Sequence, residues 1–136
     1  MASKSLHDLN SKTQLLAEAF LHECTNQGLD ILIYCTYRSP EEQDKLYALG
    51  RTEKGKIVTN ARGGDSYHNH RCAFDFVPLL AGKPQWDNAA LYSKAGIIAE
   101  GVGLEWSGRW TGKLKETAHC QFRDGKTLEQ MKKELK

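Results

Sequence analysis

Apolar positions near the start of the chain follow a helical period and then give way to a strand-like run. Leu16, Phe20 and Cys24 recur at i, i+4 and i+8, which predicts an amphipathic helix with one side facing the core. Gly28 is a natural end for that helix. The next segment, LDILIYCTY at 29–37, is rich in β-branched and aromatic residues, and this composition predicts a strand.

A second helix is marked by its capping residues rather than by apolar periodicity. Ser39 is the predicted N-cap, Pro40 the first helical residue, and Glu42 completes a capping box with Ser39. Gly50 is the predicted end of this helix. Residues 51–66, RTEKGKIVTNARGGDS, contain three glycines and little periodicity, which predicts a long loop. A loop of that length in a small domain usually carries function.

The rest of the chain alternates short apolar runs with two further helices. Strands are predicted at RCAFDFVP, GLEW and AHCQF, with a turn at AGKPQW and a loop at SGRWTGKLKET. Asp87 is the predicted cap of a third helix, and Thr127 with Gln130 form a capping box that starts the last one. The expected inward faces are Leu91, Ala95, Ile98, Ala99 and Val102 for the third helix, and Leu128, Met131 and Leu135 for the last. This irregular alternation of helices and strands indicates the α+β class.

Composition narrows the number of domains and the cellular setting. A chain of 136 residues suits one domain spanning 1–136 and is short for two. The formal net charge of +2 carries no nucleic-acid signature. No run of 18 apolar residues is present, so no transmembrane helix is expected. The polar N-terminus lacks the apolar stretch of a secretory signal, and a cytoplasmic protein is therefore expected.

The cysteines are widely spaced and form no Cys-x-x-Cys pair. A disulfide framework is therefore not expected, and buried thiols acting as small hydrophobic side chains are the preferred interpretation. The four residues concerned are Cys24, Cys35, Cys72 and Cys120.

Metal-capable side chains cluster in the segment SYHNHRCAFDF. It contains His68, His70 and Asp75, and Asp75 stands between two phenylalanines, where a carboxylate is costly to bury. Alternate residues of a strand share a face. The phenylalanines can therefore pack into the core while Asp75 and Arg71 lie on the opposite face, over a cleft. The same pattern also fits a structural aspartate that caps a neighbouring loop.

A second cluster lies further along the chain, in KETAHCQF. Glu116 and His119 stand three apart, and strand alternation puts His119 and Gln121 on one face. A histidine and an aspartate from the first segment with a histidine from the second would supply the three protein ligands of a catalytic zinc. Glu116 suits the role of accepting a proton from the water that zinc activates. No His-Glu-x-x-His motif is present, which excludes the common helical zinc protease design.

The ordered motifs resemble those of the M15 zinc peptidases, which include D-alanyl-D-alanine carboxypeptidases and the L-alanyl-D-glutamate endopeptidases of phage endolysins. The similar segments are Ser66-x-His68-x6-Asp75 followed by Glu116-x-x-His119, YCTYRSPEEQDKLYALGRT beside the family's YRS-x-EQ-x-x-LY-x-x-GRT, and GLEWSGRW beside its GL-x-WGGxW. Together they cover most of residues 31–122. The resemblance implies a small antiparallel sheet with packed helices, an α+β fold also seen in Hedgehog signalling domains.

The resemblance also implies roles for individual residues. His68, Asp75 and His119 match the family's zinc ligands, and Glu116 matches its general base and acid. Arg38 matches the arginine that binds the substrate carbonyl oxygen. A fixed guanidinium there would stabilise the developing oxyanion. The alternative for Arg38 is a surface arginine at a helix entrance.

Four further residues are expected near the metal. Ser66 is expected to orient the ligand loop or the substrate, and Trp110 to contact the substrate. Arg71 stands where the family often has glycine. It would either grip a substrate carboxylate from the Asp75 face or be a solvent-facing loop residue that replaces a turn glycine. His70 is expected to be solvated or to lie behind the ligands, because its spacing from Asp75 does not match the family.

The implied function is that of a zinc-dependent peptidoglycan peptidase of phage origin, an endolysin with one catalytic domain and no wall-binding domain. The expected scissile bond is L-alanyl-D-glutamate, and D-alanyl-D-alanine carboxypeptidase or dipeptidase activity is the alternative. Peptidoglycan stem peptides are the expected partners and Zn²⁺ the cofactor, with no nucleic acid, no stable membrane insertion and a monomeric enzyme. The expected location is the host bacterial cytoplasm until lysis, when the protein reaches peptidoglycan in the periplasm.

Two hypotheses come from other classes of function. A zinc-stabilised binding module without turnover is suggested by the Hedgehog-type relatives of the fold, but a structural zinc has no use for Glu116 or Arg38. Nucleic-acid binding through the Lys-rich end KTLEQMKKELK is the other hypothesis. A solvated helix face of mixed charge is the simpler interpretation of that segment.

Overall fold

A computed structural model describes residues 2–111 and 116–135, and within these ranges the fold is α+β. The helices are α1 (Ser11–Asn26), α2 (Pro40–Ala48), α3 (Ala89–Val102) and α4 (Leu128–Glu134). The strands are β1 (Asp30–Cys35), β2 (Ala73–Leu80), β3 (Lys83–Pro84), β4 (Glu105–Trp106) and β5 (His119–Gln121). Short 3₁₀ helices lie at Leu6–Asp8, Tyr67–His70 and Ser107–Arg109. No helix in these ranges has the length and apolarity needed to cross a membrane.

The predicted start and end residues of the helices are confirmed where their contacts are local. In α2, the Ser39 side chain accepts from the Glu42 backbone and the Glu42 carboxylate accepts from the Ser39 backbone, so the capping box is complete. The same reciprocal pair joins Thr127 and Gln130 at the start of α4. Beyond α1, Gly28 adopts a φ of 75°, a conformation that glycine reaches without steric cost.

The sheet is antiparallel in all its described pairings and has the order β1-β2-β5-β4, with β3 paired to the far end of β2. β2 is therefore flanked on both sides. Asp75 pairs with His119 on β5 and with Cys35 on β1. The β1–β2 register shifts between Ile33 and Cys35, and such bulges re-aim side chains beside functional sites.

The opposite face of β2 forms the centre of the hydrophobic core. Phe74 and Phe76 are fully buried, and their ring centroids lie 5.7 and 5.4 Å from that of Phe20 on α1. Tyr92 on α3 adds a further ring, 5.6 Å from Phe76. Burial of each phenylalanine contributes roughly 1.5–3 kcal/mol to stability. The predicted division of this strand into an apolar face and an Asp75 face is confirmed.

Two predicted boundaries were wrong in the segment that follows β2. Asn88, not Asp87, caps α3, because its side chain accepts from the Leu91 backbone. The predicted turn contains the two residues of β3, which pair with β2. Ala81 and Gly82 adopt φ values of 50° and 77°, which makes this connection a tight hairpin.

The C-terminal part of the chain differs from prediction at one inward position. Met131 is buried, as expected, but Leu135, the residue after α4, is 49% exposed. The predicted loop at 107–117 begins with a 3₁₀ helix, and its residues 112–115 lie outside the described ranges. The four cysteines are free and buried.

Candidate active site

Asp75 lies between two histidines that come from different parts of the fold. Its Oδ1 atom is 3.2 Å from His68 Nε2 and 3.2 Å from His119 Nδ1. His68 belongs to the 3₁₀ helix before β2, and His119 is the first residue of β5, directly opposite Asp75. The local fold therefore converges two imidazole nitrogens on one carboxylate oxygen.

His68 is oriented by the backbone of the chain behind it. Its Nδ1 lies 2.9 Å from the Thr36 carbonyl oxygen, which can only accept, so Nδ1 carries a proton and donates it. Nε2 is consequently the ring nitrogen that faces Asp75 and that a cation would take. Ser66 caps this 3₁₀ helix, because its Oγ accepts from the His68 backbone N–H at 3.2 Å.

His119 is oriented by a side chain on its own strand. Its Nε2 lies 2.9 Å from Gln121 Oε1, so the Nε2–H donates to this amide and leaves Nδ1 facing Asp75. Gln121 is 1% exposed. Strand alternation predicted that the two residues share a face, but the sequence carried no signal for a role of Gln121 beyond that.

The ionisation of the cluster follows from these contacts. Burial disfavours the charged form of Asp75, but hydrogen bonds from His119 and His68 outweigh it and hold the pKa of Asp75 well below its usual range. Burial also disfavours imidazolium at His68, yet the hydrogen bond to Asp75 raises the pKa of His68 to about 10. A cation can bind the two ring nitrogens that face Asp75 only when they carry no proton, so acid weakens its binding.

The donor atoms suit a borderline metal ion such as zinc. Asp75 belongs to two sets whose ligand atoms lie within 4.8 Å of one another, one with Cys35 and His68 and the other with Glu116 and His119. Each set contains one of the two imidazoles, and Asp75 Oδ1, at 3.2 Å from both rings, links them. Two imidazoles and a carboxylate are a common ligand set for a catalytic zinc. Each imidazole also donates its outer N–H to a fixed acceptor, as metal-ligating histidines generally do.

Glu116 lies at the open edge of the cluster. Its Oε2 is 4.0 Å from His119 Nδ1, and its side chain is 64% exposed. The carboxylate is therefore close enough to reach a molecule held at the cluster, while it remains solvated and able to accept a proton.

Arg38 points inward from the entrance of α2. Its Nη1 donates to Gln43 Oε1 at 2.8 Å and its Nη2 to Cys35 Sγ at 3.5 Å. Cys35 is the strand partner of Asp75. The guanidinium is thus held beside the donor cluster. The alternative, a surface arginine at a helix entrance, does not account for these two contacts.

Asn69 joins the Arg38 segment to the loop that carries His68. Its Oδ1 accepts from the backbones of Gly64 and Ser66, and its Nδ2 donates to the Arg38 carbonyl at 2.8 Å. Asn69 is 1% exposed. Gly64 and Ser66 are local partners, but the Arg38 carbonyl lies on a separate segment of the chain, and the sequence carried no signal for that contact.

Trp110 and His70 have different surroundings. The Trp110 ring centroid is 6.1 Å from that of His119, so this side chain borders the cluster. The His70 Nε2 bonds the Gly64 carbonyl at 2.7 Å. His70 is therefore engaged by the loop backbone, and it belongs to neither donor set around Asp75.

Arg71 does not follow strand alternation, and the prediction that alternation places it on the Asp75 face was wrong. β2 begins at Ala73, and Arg71 has a φ of 61° in the left-handed region, where glycine is least strained. Its Nη1 donates to the Asp8 carbonyl at 2.9 Å, and the guanidinium lies 3.9 Å from the Tyr37 ring centroid. The geometry matches a loop residue that replaces a turn glycine.

A cavity of about 630 Å³ lies between the start of α1 and α4. Its lining includes Tyr37, Arg71 and Met131, and it does not include the histidines and aspartate of the donor cluster. This cavity is therefore separate from the cluster among the described residues.

Comparisons with known proteins relate the chain to peptidoglycan enzymes. The sequence model of the family described as VanY, D-alanyl-D-alanine carboxypeptidase, matches residues 6–123. Peptidoglycan L-alanyl-D-glutamate endopeptidase CwlK of Bacillus subtilis (strain 168) is 38% identical over 124 residues, covering 85% of this chain and 74% of CwlK. The L-alanyl-D-glutamate peptidase of Listeria phage A118 is 29% identical over 127 residues, covering 88% of this chain and 41% of that protein. The crystal structure of Serratia marcescens L-Ala D-Glu endopeptidase ChiX has a TM-score of 0.66 at 18% identity over 90% of this chain and 88% of ChiX, which shows a shared fold.

Proposed function

The chain belongs to the VanY family of M15 metallopeptidases, and from this premise we propose that it hydrolyses the L-alanyl-D-glutamate bond of peptidoglycan stem peptides with a zinc ion. The observation that carries the proposal is Asp75 Oδ1 at 3.2 Å from both His68 Nε2 and His119 Nδ1. Membership of a peptidase family, with Glu116 and Arg38 present beside these donors, disfavours a binding module without turnover.

His68, Asp75 and His119 are the proposed zinc ligands. Two ring nitrogens and one carboxylate oxygen leave an open coordination position, which a catalytic zinc requires. When bound, zinc lowers the pKa of a water molecule and polarises a substrate carbonyl. Thr36 and Gln121 would keep the two rings oriented during this chemistry, through the hydrogen bonds at 2.9 Å.

Glu116 and Arg38 are the proposed catalytic side chains. Glu116 takes a proton from the water as its oxygen attacks the peptide carbonyl carbon, and it passes that proton to the nitrogen of the leaving amine as the C–N bond breaks. Arg38 donates hydrogen bonds to the carbonyl oxygen as negative charge develops there. Trp110, beside His119, is the proposed wall against which the substrate packs.

The choice of bond is supported by the two relatives named as L-alanyl-D-glutamate peptidases. The family description instead favours D-alanyl-D-alanine carboxypeptidase activity. Mass spectrometry of purified muropeptides after digestion separates the two, with Glu116→Gln as the inactive control. We expect a disaccharide that retains only L-alanine and a peptide that begins at D-glutamate. Loss of only the terminal D-alanine would overturn the proposed bond and support the carboxypeptidase.

We also propose that the protein acts as a monomeric endolysin, held in the host cytoplasm until lysis. The relative from Listeria phage A118 supports this role, although the chain spans less than half of that protein's length. Expression in a Gram-negative host should cause lysis only after the inner membrane is permeabilised, and Glu116→Gln should not lyse. Intact permeabilised cells with the active enzyme would contradict the role. Light scattering after size-exclusion chromatography tests whether the protein is a monomer.

A further inference from the structure

Gln43 is a fully buried polar side chain on α2 whose hydrogen-bonding groups are all engaged. It is 0% exposed. Its Oε1 accepts from Arg38 Nη1 at 2.8 Å, and its Nε2 donates to Thr59 Oγ1 at 3.2 Å and to the Ala61 carbonyl at 2.9 Å. Burial of an amide is tolerated when its groups are paired in this way. Gln43 thus connects the Arg38 guanidinium to the long loop.

The loop contacts determine which way the Gln43 amide faces. The Ala61 carbonyl can only accept, so the amide nitrogen must lie on the loop side and the oxygen must face Arg38. The loop is itself tied to α2, because Arg51 Nη1 donates both to the Tyr47 carbonyl of α2 at 2.6 Å and to the Thr59 carbonyl at 3.1 Å. The Ala61 backbone N–H also donates to Thr59 Oγ1 at 3.1 Å. Gln43 therefore presents its oxygen to Arg38 from a fixed support.

The backbone of Arg38 is held independently of Gln43. Its N–H donates to the His68 carbonyl at 3.1 Å, and its carbonyl accepts from Asn69 Nδ2 at 2.8 Å. The guanidinium itself has two described partners, Gln43 and Cys35 Sγ at 3.5 Å, and sulfur is a weak acceptor. Loss of the Gln43 oxygen would therefore release the guanidinium and leave the Arg38 backbone in place.

We infer that Gln43 is a positioning residue, which fixes the Arg38 guanidinium where it meets the developing charge on the substrate carbonyl oxygen. This inference rests on the proposed catalytic role of Arg38. Its physical basis is preorganisation: a donor that is already aligned need not be ordered in the transition state. Gln43 lies close to Arg38 along the chain, whereas Ala61 lies 18 residues beyond Gln43. This support therefore depends on how the loop folds back onto α2.

Gln43→Met is the direct test, because methionine has a similar length and no amide. Complete loss of an oxyanion donor costs about 10²–10³ in kcat, so a misaligned Arg38 should cost about 10- to 100-fold. KM should change less than about threefold, and zinc content should not change. The matched control is Thr59→Val, which removes one loop contact of Gln43 and leaves its bond to Arg38. It should keep kcat within about twofold.

The combination with Arg38→Ala shows whether Gln43 acts through Arg38. In that background, Gln43→Met should change kcat less than about twofold, since the group it positions is gone. An equal loss in both backgrounds, or an unchanged kcat in Gln43→Met alone, would overturn the inference. Native kcat in Arg38→Ala would instead overturn the proposed role of Arg38 and the inference with it.

A measurement that needs no substrate turnover tests the position of Arg38 independently of the proposed function. The side-chain NMR signal of Arg38 in ¹⁵N-arginine-labelled protein should shift and broaden in Gln43→Met and stay in place in Thr59→Val. An unchanged signal in Gln43→Met would overturn the positioning of Arg38, whatever bond the enzyme cleaves.

Discussion

Replacement of Gln121 by leucine tests whether the proposed zinc ligand His119 depends on the amide behind it. The Gln121 Oε1 accepts the His119 Nε2–H at 2.9 Å, and the two residues are 1% and 7% exposed. Leucine fills a similar volume and removes only the polar group. The Nε2–H would then be buried without an acceptor, and the ring would be free to turn its Nδ1 away from Asp75.

The size of the effect can be worked from these contacts. A buried donor without a partner costs about 1–3 kcal/mol in the free energy of unfolding, which leaves a folded protein because typical domains are stable by about 5–15 kcal/mol. Loss of a hydrogen-bond partner behind a ligating histidine typically lowers metal affinity about 10- to 100-fold. This corresponds to about 1.4–2.7 kcal/mol of binding free energy, so both measurements should move by a similar amount.

Competition for Zn²⁺ with a chromophoric chelator measures the affinity, and chemical denaturation of the metal-free protein measures stability. Gln121→Glu keeps an acceptor oxygen and should bind zinc nearly as well as the natural chain. Cys120→Ala perturbs the adjacent buried core residue and should lower stability without changing zinc affinity. Unchanged affinity in Gln121→Leu, or an equal loss in Cys120→Ala, would refute the reasoning.

Three further outcomes are expected. Glu116→Gln should keep its fold and metal content but lose about 10²–10⁴-fold in turnover of muropeptides; near-native turnover would remove it from the mechanism. Metal analysis should show that His68→Ala loses zinc while His70→Ala, whose ring bonds a backbone carbonyl, retains it; the reverse result would refute the ligand assignment. Gly96→Ala should lower the free energy of unfolding by about 1–3 kcal/mol, because an added Cβ overlaps the Trp106 indole and outweighs the gain of up to about 1 kcal/mol in helix propensity. A denaturation midpoint above that of the natural chain would contradict this.

Local features of the fold were predictable from the sequence because their causes lie within a few residues. The Ser39–Glu42 capping box spans three residues, and both of its hydrogen bonds are present. The apolar face of α1 and the division of β2 into two faces follow from helical and strand periods. For the same reason, Asp75 could be assigned to the cleft side of its strand without knowledge of its partners.

The helix caps also show what the local sequence leaves undecided. Asp87 and Asn88 are adjacent residues that both favour an N-cap, and the sequence does not rank them. In the structure Asn88 is the cap, because its side chain accepts from the Leu91 backbone. Arg71 illustrates the same point, because its left-handed φ of 61° removes it from the period of the following strand.

The chemistry of the cluster was decided by tertiary structure. His68 takes its orientation from the Thr36 carbonyl, and Asp75 meets His119 only because β2 and β5 pair in one register. A shift of that register by one residue would turn His119 to the other face of the sheet. The sequence alone therefore determined which side chains could hold a metal ion. The packing of distant segments determined which ring nitrogens face one another, because hydrogen-bond partners far apart along the chain are set by the whole fold.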